Sequence, residues 1–416
     1  QICDTELLLL MKQNTKTFNS NNERTSKFAD TALRAIEDIS EELHDISIKI
    51  HENPELAYEE KYAHKLLVNY LQEKGFKVTP NAFGLETAFV AEFQSKAGKG
   101  RVVSFNSEYD ALPDIGHACG HNLIAISGVG AAIGLKAVLE KFNIKGTVKL
   151  FGTPAEEKGS GKIDLIKAGA YEGVDISLMV HPSVINGGFI NFLAIQTVDV
   201  EYFGRPSHAS GINALDAMVL AYNNIGLLRQ QILPTDRIHG IITNGGKAPN
   251  VIPEYTSGTF YIRGKAMEDL KALQPRVHKC FEAAAEATGT TVKIIWSKVV
   301  YDVNINEPLA ARYEHYLSKK FDITFPPRDV QATIPSGSTD QGNVTYLVPG
   351  FHPLYDICTP VPTVNHQREF TSECKTKTAH EETIKATNGM TLVGLDFLID
   401  DEFANQVNES FTKSKL

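Results

Sequence analysis

"RVVSFNSEYDALPDIGHACGHNLIAISGVGAAIGLKAVLEKF", Arg101 to Phe142, decides how this chain folds. It opens as a short β-rich run, passes through a polar loop, and closes as a helical stretch from Leu123 to Phe142. Parallel strands need a crossover of about a dozen residues or more, usually helical, so a strand leading into a long helix points to a parallel sheet. The flanking segments repeat the theme. "TAFVAEFQ" precedes the stretch and "GTVKLFGTPAEE" follows it, each a short strand. Upstream, "FADTALRAIEDISEELHDISIKIHENPEL" reads as one helix ending at Asn53-Pro54, because the residue before a proline is pushed out of helical geometry. A second helix carries Tyr62, Leu66, Leu67, Tyr70 and Leu71 at helical spacing and stops at Gly75. The fold predicted is α/β: a three-layer α/β/α domain around a mostly parallel sheet.

Near Gly187-Gly188 the texture changes. "FINFLAIQTVDVEYFG", "TSGTFYIRG" and "TVKIIWS" alternate apolar and polar residues, which predicts an antiparallel sheet with one solvated face. Two helical stretches lie between them, and α/β texture resumes near Asp302. The expected division is a mobile leader at 1–25, a catalytic domain at 26–189 and 301–416, and an inserted α+β lid at 190–300, to which the resemblance described below adds a dimerisation role.

Composition narrows the function classes. The chain has 416 residues, 42% hydrophobic and 22% charged, with a net charge of -9. With no long basic block, neither nucleic acid nor an anionic membrane is an expected partner. No run approaches the ~18 consecutive apolar residues of a membrane span. "CDTELLLLMK" lacks the basic start and apolar length of a secretory signal. Five scattered cysteines fit reduced thiols, so a cytoplasmic location is expected.

Metal-capable side chains gather where the strands end. Cys119 and His121 follow one strand, Glu156 and Glu157 another, His181 follows "ISLMV", and His366 follows "PTVN". Ligands in open α/β sheets collect at these carboxyl ends. Thiolate, imidazole and carboxylate together suit Zn²⁺ and tolerate Mn²⁺ or Co²⁺. Five ligands exceed one tetrahedral ion but serve two ions sharing a bridge, and the Cys119 thiolate is a candidate for it. Of the adjacent glutamates, one can bind metal while the other acts as general base. "HACGH" alone reads equally well as a buried thiol at a helix start. Other chemistries find no support: "GVGAAIG" is not a dinucleotide fingerprint, "EEKGSGKI" lacks phosphate-loop spacing, and "GRPSHASG" is not a nucleophile elbow.

From His51 onward the chain resembles the aminoacylase, carboxypeptidase-G and auxin-conjugate amidohydrolase family of co-catalytic metallopeptidases. It is most similar to the branch of Xaa-Arg (β-alanyl-lysine) dipeptidases and aminobenzoyl-glutamate hydrolases. The ordered motifs are "HENPELAYEE", "SEYDALPDIGHACGHNLIA", "GTPAEEKGSGK", "MVHPS", "GRPSHAS", "APNVIPEYT", "GSTDQGN" and "NHQREFT". The resemblance implies that Cys119, His121, Glu157, His181 and His366 bind two divalent ions, zinc or manganese. It implies Glu156 as the base that activates a metal-bridged hydroxide, and His208 as an oxyanion-stabilising histidine reaching across a homodimer interface. Asn250 and Arg263 match positions that hold the substrate. The activity implied is hydrolysis of the amide bond of a small molecule, a dipeptide or an N-acyl amino acid. A non-catalytic metal-binding regulatory protein on the same fold is the alternative, and a redox role for Cys119 is a third reading. Asn122, where many relatives have Asp, and Tyr109-Asp110 depart from the wider family pattern and weaken any transfer of auxin-conjugate specificity. Asp114 stands where a small residue is expected.

Overall fold

The computed structural model describes residues 23–206, 211–334 and 336–415. Most of the predicted leader lies outside the described residues; the first helix, Glu23–Glu37, takes in its last three positions. The single helix expected before Pro54 is two, Glu23–Glu37 and Ser40–Glu52. The break falls at Asp38-Ile39, and Ile36, Ile39 and Leu43 on either side of it are buried. The helix Lys61–Glu73 ends as expected, with Gly75 left-handed at φ 81.

The central sheet contains β1 (Lys77–Pro80), β2 (Phe89–Gln94), β3 (Val102–Glu108), β4 (Thr147–Thr153), β5 (Ile176–Leu178) and β11 (Gly350–Phe351), in the order β1-β2-β4-β3-β5-β11. From β4 to β11 the pairings are parallel, while β1 and β2 add an antiparallel edge. All seven residues of β3 are buried. Val103 and Phe105 pack into the main core with Leu135 and Val393, while Val102 joins Phe151, Leu165 and Tyr171 in a smaller cluster. Helices on both faces complete the three layers.

The helix His121–Phe142 lies on β3 and β4, backed by the helix Lys377–Ile399. By length and hydropathy it is able to cross a membrane, yet 83% of its most apolar window is buried in the fold. Such burial all round is why it shows no polar stripe.

A second sheet lies within the segment 190–300. It is built from β7 (Ala194–Phe203), β8 (Arg237–Asn244), β9 (Tyr255–Gly264) and β10 (Thr291–Trp296), antiparallel throughout in the order β10-β7-β9-β8. Helices Ala214–Leu228 and Met267–Thr288 cover one face, and Val198, Val200, Phe260, Ile262 and Phe281 form a core of its own. A short parallel pair, β6 (His181–Ser183) with β12 (Leu354–Asp356), extends from the carboxyl end of β5.

Candidate metal centre

Local backbone geometry places each candidate donor. Between Cys119 and His121 the chain turns at Gly120, φ 80, where a Cβ would come within 2.5 Å of Pro182; only glycine tolerates that conformation and that approach. Glu156 and Glu157 follow β4 on a turn entered through Ala155 at φ 60. The Ala155 N–H donates to Glu60 Oε1 at 2.8 Å, which pins the turn. His366, at φ 68, donates its N–H to Ala118 O at 2.8 Å, tying the C-terminal loop beside Cys119. A left-handed non-glycine residue costs about 1–3 kcal/mol, and such strain concentrates at functional sites.

These elements bring five sequence-predicted donors together. Cys119 Sγ lies 3.4 Å from His181 Nε2, and His366 Nε2 lies 3.4 Å from Glu157 Oε1. Donor atoms fall into groups whose members lie within 4.8 Å of one another: Cys119 with His121 and His181, Cys119 with Glu157 and His366, and Glu108 with His121 and Glu156. Cys119 belongs to the first two groups, the place a bridging ligand would occupy.

Asp110 orients the cluster. Its Oδ1 accepts from His121 Nδ1 at 3.0 Å and its Oδ2 from the Glu157 N–H at 3.0 Å. Such carboxylate–imidazole pairs orient the ring and hold Nδ1–H, so that Nε2 faces the centre and would offer its lone pair to a bound cation. Burial opposes charge on His121, but Asp110 and Cys119 override it and hold its pKa well above the ordinary range. Burial, then Glu108, Glu157 and Asp340, push Glu156 well above an ordinary carboxyl. Burial would also raise Glu157, yet His366 and His121 bring it below the usual value. The two glutamates are thus electrostatically distinct. Burial and Glu157 raise the Cys119 thiol, which a bound cation would convert to thiolate. A redox sensor needs an exposed, low-pKa thiol, and Cys119 is neither.

The donor set fits divalent cations. Glu108 Oε2, His121 Nε2 and Glu157 Oε1 are buried with no hydrogen-bond partner among the described residues, and a buried polar atom left so is costly. Glu108, Asp110, Glu156, Glu157 and Asp340 converge with the ammonium of Lys162, an excess of carboxylates that bound cations would offset.

The segment 104–373 matches peptidase family M20/M25/M40. The chain belongs to that family. An Xaa-Arg dipeptidase of Mus musculus is 43% identical over 401 residues, spanning 92% of each chain. A p-aminobenzoyl-glutamate hydrolase of Escherichia coli strain K12 is 28% identical, covering 88% of this chain and 91% of the relative. A solved dinuclear metal binding peptidase of the M20 family from Bacillus subtilis shares the fold, with TM-score 0.63 and 18% identity over 86% of this chain and 99% of that one. This M20 chain is therefore a metal-dependent hydrolase of amide bonds in small molecules, and a non-catalytic role finds no support.

His208 lies outside the described residues. Asn250 sits in an exposed turn between β8 and β9. Arg263, half-buried on β9, donates Nη1 to Ser338 Oγ at 3.2 Å, joining the second sheet to the "GSTDQGN" loop. Sequence reasoning misses Glu108, Lys162 and Asp340, although all three fall inside quoted motifs; their signal is a charged residue within such a motif. Asp114 has φ 63 between the bridged residues Leu112 and Gly116, a conformation that Asp tolerates better than most residues.

Proposed function

We propose that the protein is a dipeptidase or N-acyl amino acid hydrolase, with dipeptides ending in a basic residue as the first substrates to try. The single observation that carries this is the convergence of Cys119, His121, Glu157, His181 and His366 beside the buried carboxyl of Glu156. Two divalent ions at those five residues, zinc or manganese, would polarise the scissile carbonyl and lower the pKa of a water. Glu156 takes the proton of the attacking water and passes it to the leaving nitrogen. Asp110 keeps His121 in the tautomer that faces the centre. Arg263 offers a planar guanidinium for the substrate carboxylate, with Asn250 on the same lid, and His208 supplies positive charge to the developing oxyanion.

A homodimer through the lid belongs to this reading. In its support, β8 is a sheet edge, and Ile241, Ile242 and Tyr261 on β8 and β9 are 64%, 41% and 45% exposed. A monomer in light scattering would overturn it. The free thiols of Cys119, Cys280, Cys358 and Cys374 accord with a reducing, cytoplasmic setting.

The decisive experiment is Glu156→Ala, assayed on basic dipeptides and acylated amino acids with and without chelator. Turnover should fall by at least ~10²- to 10⁴-fold while bound metal is retained. Wild-type turnover in the variant would remove Glu156 from its role.

A further inference from the structure

Strand β3 ends in a buried ion-pair network that the five ligand positions do not use. Lys162 Nζ, on the helix Gly161–Lys167, sits between Glu108 Oε1 and Asp340 Oδ1, 2.5 Å from the latter. The Lys162 N–H also donates to Asp340 Oδ2, at 2.9 Å. All three side chains are 0% exposed. A buried ammonium is tolerated only when paired and hydrogen-bonded, so the two carboxylates are its necessary counter-charges. Glu108 Oε1 is thereby engaged, and Oε2 is left over.

That second oxygen has no hydrogen-bond partner among the described residues, and neither has His121 Nε2, 3.4 Å away. With its Nδ1–H donated to Asp110, His121 turns Nε2 toward Glu108 Oε2. In a buried site a positive species, a proton or a cation, must stand between two such atoms. An ion with bonds of about 2.0–2.2 Å to nitrogen and oxygen spans a 3.4 Å gap at an angle of roughly 108°, close to tetrahedral. Glu156 lies within 4.8 Å of both, in reach as the neighbouring base.

We propose that Glu108 is a further metal ligand: Oε2 coordinates the ion held by His121, and Lys162 and Asp340 are positioning residues that aim the carboxylate. The proposal rests on the two-ion reading given above. Lys162 anchors one oxygen so that the other cannot rotate away from His121. Its charge also offsets part of the repulsion between Glu108 and Glu156.

The test uses the full chain stripped with chelator and titrated with Co²⁺, followed by bound-metal analysis and visible absorption. Wild type should take up two equivalents. Glu108→Gln keeps the shape and removes the charge; one of the two equivalents should weaken at least about tenfold and the d–d bands should change. The thiolate-to-cobalt charge-transfer band of Cys119 should persist. Lys162→Met should weaken the same equivalent. If unpaired Lys162 keeps Glu108→Gln from folding, the double variant E108Q/K162M removes both charges of the pair, and the same single-ion loss is expected. Unchanged affinity for both equivalents with unchanged d–d bands, in either folded variant, would overturn the proposal and point to a proton shared between His121 and Glu108. Fewer than two equivalents in wild type would instead remove the two-ion reading beneath it.

Discussion

The two large sheets obey opposite rules. β3 is buried at every residue, whereas β7 and β9 alternate buried and partly exposed positions and β8 leaves Ile241 and Ile242 in the open. A strand covered on both faces excludes water. A charge at its end, such as Glu108, survives only with partners, and electrostatic interactions there are strong because the surroundings polarise weakly. The antiparallel sheet keeps a compact core on one face and leaves apolar side chains on the other. Chemistry is thus built where packing is tightest, and surface for contact is left where it is loosest.

The largest effect that would break this contrast lies at the metal centre. If Cys119 is shared by the two donor groups, Cys119→Ala should lose both ions, whereas His366→Ala should lose one. Metal analysis after dialysis distinguishes them, and equal losses would deny Cys119 its bridging place. Next comes packing beside β3. A Cβ at Gly128 would lie 2.3 Å from Ser107 Oγ and 2.9 Å from Leu150 Cδ1. Gly128→Ala should therefore cost about 1–3 kcal/mol in urea unfolding.

A smaller effect concerns pH, on the helices that pack against the parallel sheet. His380, buried against His44 with Nε2 on Ser40 Oγ, has its pKa lowered to about 4, by burial first and His44 second. Below the unfolded value near ~6.5 the unfolded chain binds a proton that the folded one refuses, so stability falls as pH drops toward 4. His380→Gln should remove roughly 1 kcal/mol of the stability lost between pH 7 and 5.5, read from denaturant midpoints at the two pH values. The gentlest change sharpens the comparison from the lid side. Gly226, in the helix Ala214–Leu228, has nothing within 4 Å of an added Cβ, so Gly226→Ala should stabilise by under about 1 kcal/mol. Destabilisation there as large as at Gly128 would show the lid to be packed as tightly as the core.

Strong local patterns carry much of this architecture in the sequence. The run from Arg101 to Phe142 announces a strand, a loop and a long helix, and each is present, the helix starting two residues earlier at His121. Alternation marks β7, β9 and β10 as one-faced strands. Where local signals are weak, such patterns fail. The break at Asp38-Ile39 carries no proline or glycine, so no local signal in the sequence marks it. β8 escapes detection because its residues are mostly exposed and show no clean alternation.

At the site the division is sharper. Residue type and position after a strand are enough to single out Cys119, His121, Glu156, Glu157, His181 and His366 as metal or acid–base groups, because thiol, imidazole and carboxyl chemistry is written in the side chain itself. The partnership of Glu108 with Lys162 and Asp340 is not, since Lys162 lies 54 and 178 positions from its two partners. Periodicity reports which face a residue takes, but not which distant segment meets it there. Only the closing of the sheet and its loops brings those charges within reach of His121, because a buried charge is bearable only when folding has already delivered its counter-charge.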